Sequence, residues 1–149
     1  MQLIDTHVHL NDKKFTDVEE VLNRASTNSV DYVINIGSNV SSSLKAIEQA
    51  NQYNNMYAAV GFHPHSAKEV KNSDYEKLVK WLRNKKVLAV GEIGLDYHYD
   101  FSPREVQKEV FKKQMEIAKM YKYPVVIHNR ESHQDVFNII ESFAGDVKG

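Results

Sequence analysis

Val87-Leu88-Ala89-Val90-Gly91-Glu92-Ile93-Gly94-Leu95-Asp96 is the stretch on which the fold turns. Val87 to Ile93 is a short apolar run, rich in Val and Ile and nearly continuous rather than alternating. Strands buried on both faces of a parallel sheet read this way. Glu92 follows Val87-Leu88-Ala89-Val90 and so projects from a strand end. A buried carboxylate is costly unless it is paired or bound to a metal. The flanking glycines permit close backbone approach or unusual dihedrals. Glu92 therefore reads as a carboxylate able to bridge two metal ions, or as a turn or helix-cap acid, a role that suits Asp96 better.

Outward from this stretch the pattern repeats. Similar runs occupy Leu3 to Val8, Val30 to Ile36, Met56 to Phe62 and Pro124 to Ile127. Helical patterns with readable starts lie between them. Thr16 and Glu19, Ser73 and Glu76, and Ser102 and Glu105 each have capping-box spacing, and Pro103 suits a first helical position. Leu44, Ile47 and Ala50 mark a helix after Ser41-Ser42-Ser43. Val136, Phe137, Ile139, Ile140 and Phe143 mark the last. The order is five βα units in series, which gives a doubly wound sheet or a barrel. The repeated spacing favours a TIM-type (βα) barrel, whose chemistry sits at the C-terminal strand ends. His7, His9, His63, His65, Glu92, Asp96, His128 and Arg130 all fall there.

A complete barrel of this type takes ~250 residues, against the 149 of this sequence. Residues 1–149 are expected to form one domain holding about five of eight units, an incomplete barrel. A sixth strand would begin at Asp146-Val147-Lys148-Gly149. The expectation is a fragment of a longer barrel, or a chain whose uncovered sheet face is met by a partner or a second copy.

Charge is balanced, 19 basic against 20 acidic residues. This argues against a nucleic-acid coat protein, though not against a local grip on a few phosphates. The sequence has no cysteine, so a metal must be held by His, Asp or Glu. It shows neither a signal-peptide pattern nor an apolar run approaching the ~20 residues of a membrane span. A soluble cytoplasmic protein is the default expectation.

In Asp5-Thr6-His7-Val8-His9 the two histidines point to one face of the strand. Together they can hold one divalent ion, and Asp5 could orient a ring from behind. In Pro124-Val125-Val126-Ile127-His128-Asn129-Arg130, His128 ends an apolar strand in the same way and is a further ligand candidate. Arg130 suits a bidentate phosphate or carboxylate contact, or a surface ion pair with Glu131. In Gly61-Phe62-His63-Pro64-His65 the proline makes a turn. His65 suits substrate contact or proton transfer, and His63 suits substrate contact or a structural role; neither reads as a direct metal ligand. Tyr53, Tyr57, Tyr97, Tyr99, Tyr121 and Tyr123 read as helix faces and loop edges rather than a stacking platform. There is no phosphate-cradling glycine loop and no thiol nucleophile.

These blocks, in this order and spacing, resemble the TatD-related deoxyribonucleases, within the amidohydrolase-like metal-dependent hydrolases. The matching residues are Asp5 to Leu10, Gly61 to His65, Gly91 to Tyr97, and Pro124 to His128 with Arg130. The helix bearing Gln107, Phe111, Gln114 and Ala118 is similar too. The resemblance implies a TIM-type barrel with two divalent ions. His7 and His9 would hold one, His128 the other, and Glu92 would bridge both. It implies hydrolysis of phosphodiester bonds in DNA or a related substrate, with Glu92 and His65 catalytic and Arg130, His63 and His65 contacting substrate. The family's pattern adds a histidine from a sixth strand and an aspartate from a later one, and neither has a position in this sequence. His and carboxylate donors suit Zn, Mn, Ni or Co, and Mg where carboxylate and water dominate. The alternatives are a non-catalytic metal-binding fragment, a partner-dependent module, or another amidohydrolase-like activity.

Overall fold

The computed structural model describes residues 2–147. Strand β1 (Leu3–Val8) is followed by α1 (Val18–Thr27), and β2 (Val30–Ile36) by α2 (Val40–Gln52). β3 (Met56–Val60) leads through a 3-10 helix at Pro64–Glu69 into α3 (Asn72–Trp81). β4 (Val87–Asp96) precedes α4 (Arg104–Tyr121), and β5 (Val125–Arg130) precedes α5 (His133–Glu141). The strands form one sheet in the order β1-β2-β3-β4-β5, every pair parallel. A doubly wound sheet reverses its order at a switch point. Here each strand lies beside its predecessor, as in a TIM-type barrel, and the sheet is a five-stranded, incomplete one.

Right-handed crossovers place successive helices on the same side of such a sheet. The main core lies between the two layers. Leu22, Ala46, Ile47, Ala50, Leu78, Trp81, Phe111, Met115, Ala118, Val136 and Ile139 of the helices meet Val33, Met56, Ala58, Val60, Val90 and Ile93 of the strands. Each large side chain buried here stabilises the fold by about 1.5–3 kcal/mol, so helix-to-sheet packing dominates. A small cluster of Ile36, Ala59 and Ala89, with Ile34 and Val126, forms separately from it.

Several boundaries differ from the sequence reading. β1 is not buried: Leu3 is 41% and Ile4 59% exposed, because this strand pairs only with β2 among the described residues. β4 and β5 run further than their apolar runs, pairing Gly94 with His128 and Asp96 with Arg130. β3 ends earlier, at Val60. Asp17, not Thr16, caps α1, accepting the Glu20 N–H at 2.9 Å. Ahead of α3 the Asp74 carboxylate accepts the Lys71 N–H, and Pro103 occupies the N-cap of α4. Ser102 instead accepts the Lys68 N–H and donates to the His65 carbonyl, both at 3.1 Å. On α2, Ser43 and Ala46 face the core and Leu44 is exposed; on α5, Phe137 is exposed. Near the expected start of a sixth strand, Asp146 N–H closes a turn onto Phe143 O; Lys148 and Gly149 lie outside the described residues. Among the described residues no helix is long and apolar enough to cross a membrane.

Candidate metal centre

His7 on β1 and His9 just beyond it bring their Nε2 atoms to 3.2 Å of each other. The Nδ1 of His9 lies 3.1 Å from the Ile36 carbonyl. A carbonyl can only accept, so Nδ1 carries the proton and Nε2 presents a lone pair to the cleft. Asp5 does not orient either ring. Its carboxylate accepts the backbone N–H of His7, and the Ile36 carbonyl performs the role expected of it.

Glu92 meets this pair from β4. The ladder to β5 shifts register between Val90 and Ile93, a bulge that re-aims the intervening side chains. Glu92 N–H donates to Gly37 O at the end of β2. One carboxylate oxygen, Oε2, lies 3.4 Å from His7 Nε2 and 3.9 Å from His9 Nε2. Two ligands each ~2.0–2.1 Å from a tetrahedral ion stand about 3.3 Å apart. The three donors of His7, His9 and Glu92 therefore fit one divalent cation. The other oxygen, Oε1, lies 3.0 Å from His128 Nδ1. Burial pushes the Glu92 pKa up, but the His128 hydrogen bond and the His63, His7 and His128 rings hold it below the ordinary value.

A second group brings ring nitrogens of His63, His65 and His128 within 4.8 Å of one another. Their roles differ. Burial, with help from His128, pulls the His63 pKa down to about 4, so its ring is neutral at pH 7. Its Nδ1 accepts the His65 backbone N–H, which places the proton on Nε2 and makes that atom a donor. His65 Nε2 faces the Asp96 carboxylate at 2.8 Å, so its Nδ1 is the atom left for other partners. His128 sits between Glu92 (Nδ1, 3.0 Å) and Asp96 (Nε2, 2.9 Å). Chiefly the Glu92 hydrogen bond raises its pKa. A cation bound at His128 must displace a proton.

Asp96 is more than the turn acid read from the sequence. It is fully buried. Oδ1 accepts the His98 and Tyr99 N–H groups, while Oδ2 holds both His65 and His128. Burial pushes its pKa up, yet the Tyr99 N–H and the two imidazoles keep it well below the usual carboxylate range. Gln107 grips its backbone through Asp96 N–H (2.8 Å) and Asp96 O (3.1 Å). Gln114 holds Phe62 in the same way, two residues past the end of β3. Two amides of α4 thus replace a strand neighbour and fix the segments that carry His63, Glu92 and Asp96.

Arg130 makes no pair with Glu131, which bonds His98 instead. Its guanidinium lies 4.7 Å over the Tyr99 ring. Tyr99 is also not a simple loop edge, since it stacks on Phe101. His9, Ser38, His63, His65, Ser66 and Glu92 line an open cleft of about 370 Å³. Of the residues singled out from sequence, His7, His9 and Glu92 converge, and His128, His63 and His65 gather beside them.

The sequence profile of the family described as "TatD related DNase" matches residues 4–149. The "Uncharacterized metal-dependent hydrolase YabD" of Bacillus subtilis is 38% identical over 148 residues, covering 99% of this chain and 58% of that protein. The "3'-5' ssDNA/RNA exonuclease TatD" of Escherichia coli is 28% identical, with coverage of 99% and 57%. The crystal structure of YjjV, a TatD homologue of Escherichia coli, superposes with a TM-score of 0.88 at 33% identity, covering 94% of this chain and 55% of that one. The chain spans a little over half the length of the curated relatives it matches.

Proposed function

Because the chain belongs to the TatD-related DNase family, we propose that it supplies His7, His9, Glu92 and His128 to a two-metal site that hydrolyses nucleic-acid phosphodiesters. One observation supports this above the others: the two oxygens of Glu92 face different groups, Oε2 toward His7 and His9 and Oε1 toward His128. In this reading His7 and His9 hold one divalent ion, His128 a second, and Glu92 both. Such ions acidify water and neutralise charge on a phosphate.

The chain's own residues would do the rest. The Ile36 carbonyl fixes the His9 tautomer. His63 offers Nε2–H as a donor to a phosphate oxygen. His65, anchored to Asp96 through Nε2, has Nδ1 available to take or give a proton at the scissile bond. Arg130 stands exposed at the rim, where its fork can bind a phosphate.

The test is direct. Protein stripped with chelator is returned to Zn, Mn, Mg, Ni or Co and given end-labelled single strands of DNA and RNA. Metal-dependent shortening of the strand is expected. No shortening with any of the five metals, alongside hydrolysis of a cyclic amide or carboxylic ester, would contradict the nuclease reading.

A further inference from the structure

The loop after Asp96 carries Tyr99 and Phe101 to the edge of the cleft. Their rings stack with centroids 5.1 Å apart and planes 10° apart. They remain 47% and 54% exposed, although a loop could gain apolar burial by turning either ring inward. The arrangement is braced on several sides. Asp96 Oδ1 accepts the Tyr99 N–H, and Arg104 ties the loop down through Asp100 at 2.8 Å. The Arg130 guanidinium covers Tyr99. The His65 ring meets Phe101 edge-on at 4.9 Å and Tyr99 at 5.5 Å, so the stacked pair adjoins the imidazoles of the cleft. Phe101 has the fewer ring neighbours and the greater exposure.

Exposed, braced aromatic rings beside a cation are what unpaired nucleobases stack on, because every base has a π-face and carries a phosphate. We propose that Tyr99 and Phe101 form a stacking subsite for one unpaired nucleobase of the substrate, with Phe101 presenting the free ring and Arg130 meeting the attached phosphate. This deepens the nuclease reading and rests on it. A base inside a duplex has both faces covered, so the subsite selects an unpaired nucleotide, in DNA or RNA alike.

The experiment uses an uncleavable phosphorothioate single strand with 2-aminopurine placed at successive positions. Its binding to the metal-loaded chain is followed by anisotropy and by quenching of the base. Wild type should quench the base at one position. Phe101→Ala should bind about tenfold more weakly and lose the quenching, and Phe101→Trp should restore both. An abasic nucleotide at that position should weaken wild type by the same factor and leave Phe101→Ala unchanged. Both rings are exposed, so the variants should melt as wild type does. If wild type binds this strand and cleaves its ordinary phosphodiester counterpart, but Phe101→Ala and Tyr99→Ala bind and quench equally well, the subsite is overturned and the nuclease reading stands. Equal weakening of normal and abasic strands by Phe101→Ala also overturns it, since the ring would then act only on loop structure. If wild type neither binds this strand nor cleaves its phosphodiester counterpart, both readings fall together.

Discussion

Replacing Glu92 by Gln should lower metal-dependent hydrolysis by on the order of 10²–10³-fold while leaving the metal-free fold intact. Gln keeps the shape and both polar atoms but removes the charge shared by His7, His9 and His128. The amide cannot offer two anionic oxygens, so whichever group faces its NH₂ loses a ligand. The fold depends on that charge only modestly. The histidine contacts hold this carboxyl below its ordinary value despite burial, so losing its charge costs some stability at neutral pH, but the core lies between sheet and helices. Melting of the chelated variant should therefore fall by no more than a few degrees. Assay of the variant across the five metals, beside a melting curve in chelator, separates the two effects. Activity retained within a few-fold would remove Glu92 from the site.

Gly94→Ala should do the reverse, destabilising the protein before any metal is added. Gly94 has φ +141°, a region that side chains other than glycine hardly enter. A Cβ there would lie 2.0 Å from the His128 carbonyl oxygen. That atom belongs to β5, paired with Gly94 in the sheet, and cannot yield without opening the ladder. Strain and overlap together should cost about 3 kcal/mol or more. This amounts to roughly 10 °C in melting temperature for a chain of this size. Gly145→Ala is the control, since Gly145 also has positive φ but nothing within 4 Å of an added Cβ. It should cost only the backbone strain. Equal melting of the two variants would show that close approach of β4 to β5 is not what the glycine serves.

These two positions also show which features were legible in the sequence. A glycine on each side of Glu92, at the end of a Val-rich run, signals close backbone approach or unusual dihedrals. The structure shows both at Gly94 and identifies β5 as the neighbour. Apolar runs and capping residues gave the element order, and the consecutive pairing decided between barrel and doubly wound sheet. Cap positions moved by a residue or two because Asp, Ser and Thr can each accept an N–H of the first turn. Asp17 caps α1 in place of Thr16, and α3 starts from Lys71 in place of Ser73, with Asp74 at the third helical position taking the Lys71 N–H.

What stayed hidden was of another kind. The Ile36 carbonyl that orients His9 has no sequence signature, because every residue has a carbonyl. Asp96 reads as a turn acid and is one through Oδ1. Its second oxygen, which gathers His65 and His128, becomes visible only when β3, β4 and β5 lie side by side. Tyr99 reads as a loop edge rather than part of a stacked pair with Phe101 for a related reason. Two rings two residues apart become a platform only when a fixed turn brings them face to face.

The central claim is that His7, His9 and Glu92 converge to hold a divalent cation. It is tested most directly by calorimetric titration of Zn or Mn into the chelator-stripped chain, comparing wild type with the His7→Ala/His9→Ala double variant and with His98→Ala, a histidine outside the cluster. The account predicts that wild type and His98→Ala bind alike, and that the double variant loses at least about 100-fold in affinity with the loss of two ligands. Equal binding by all three proteins would contradict it.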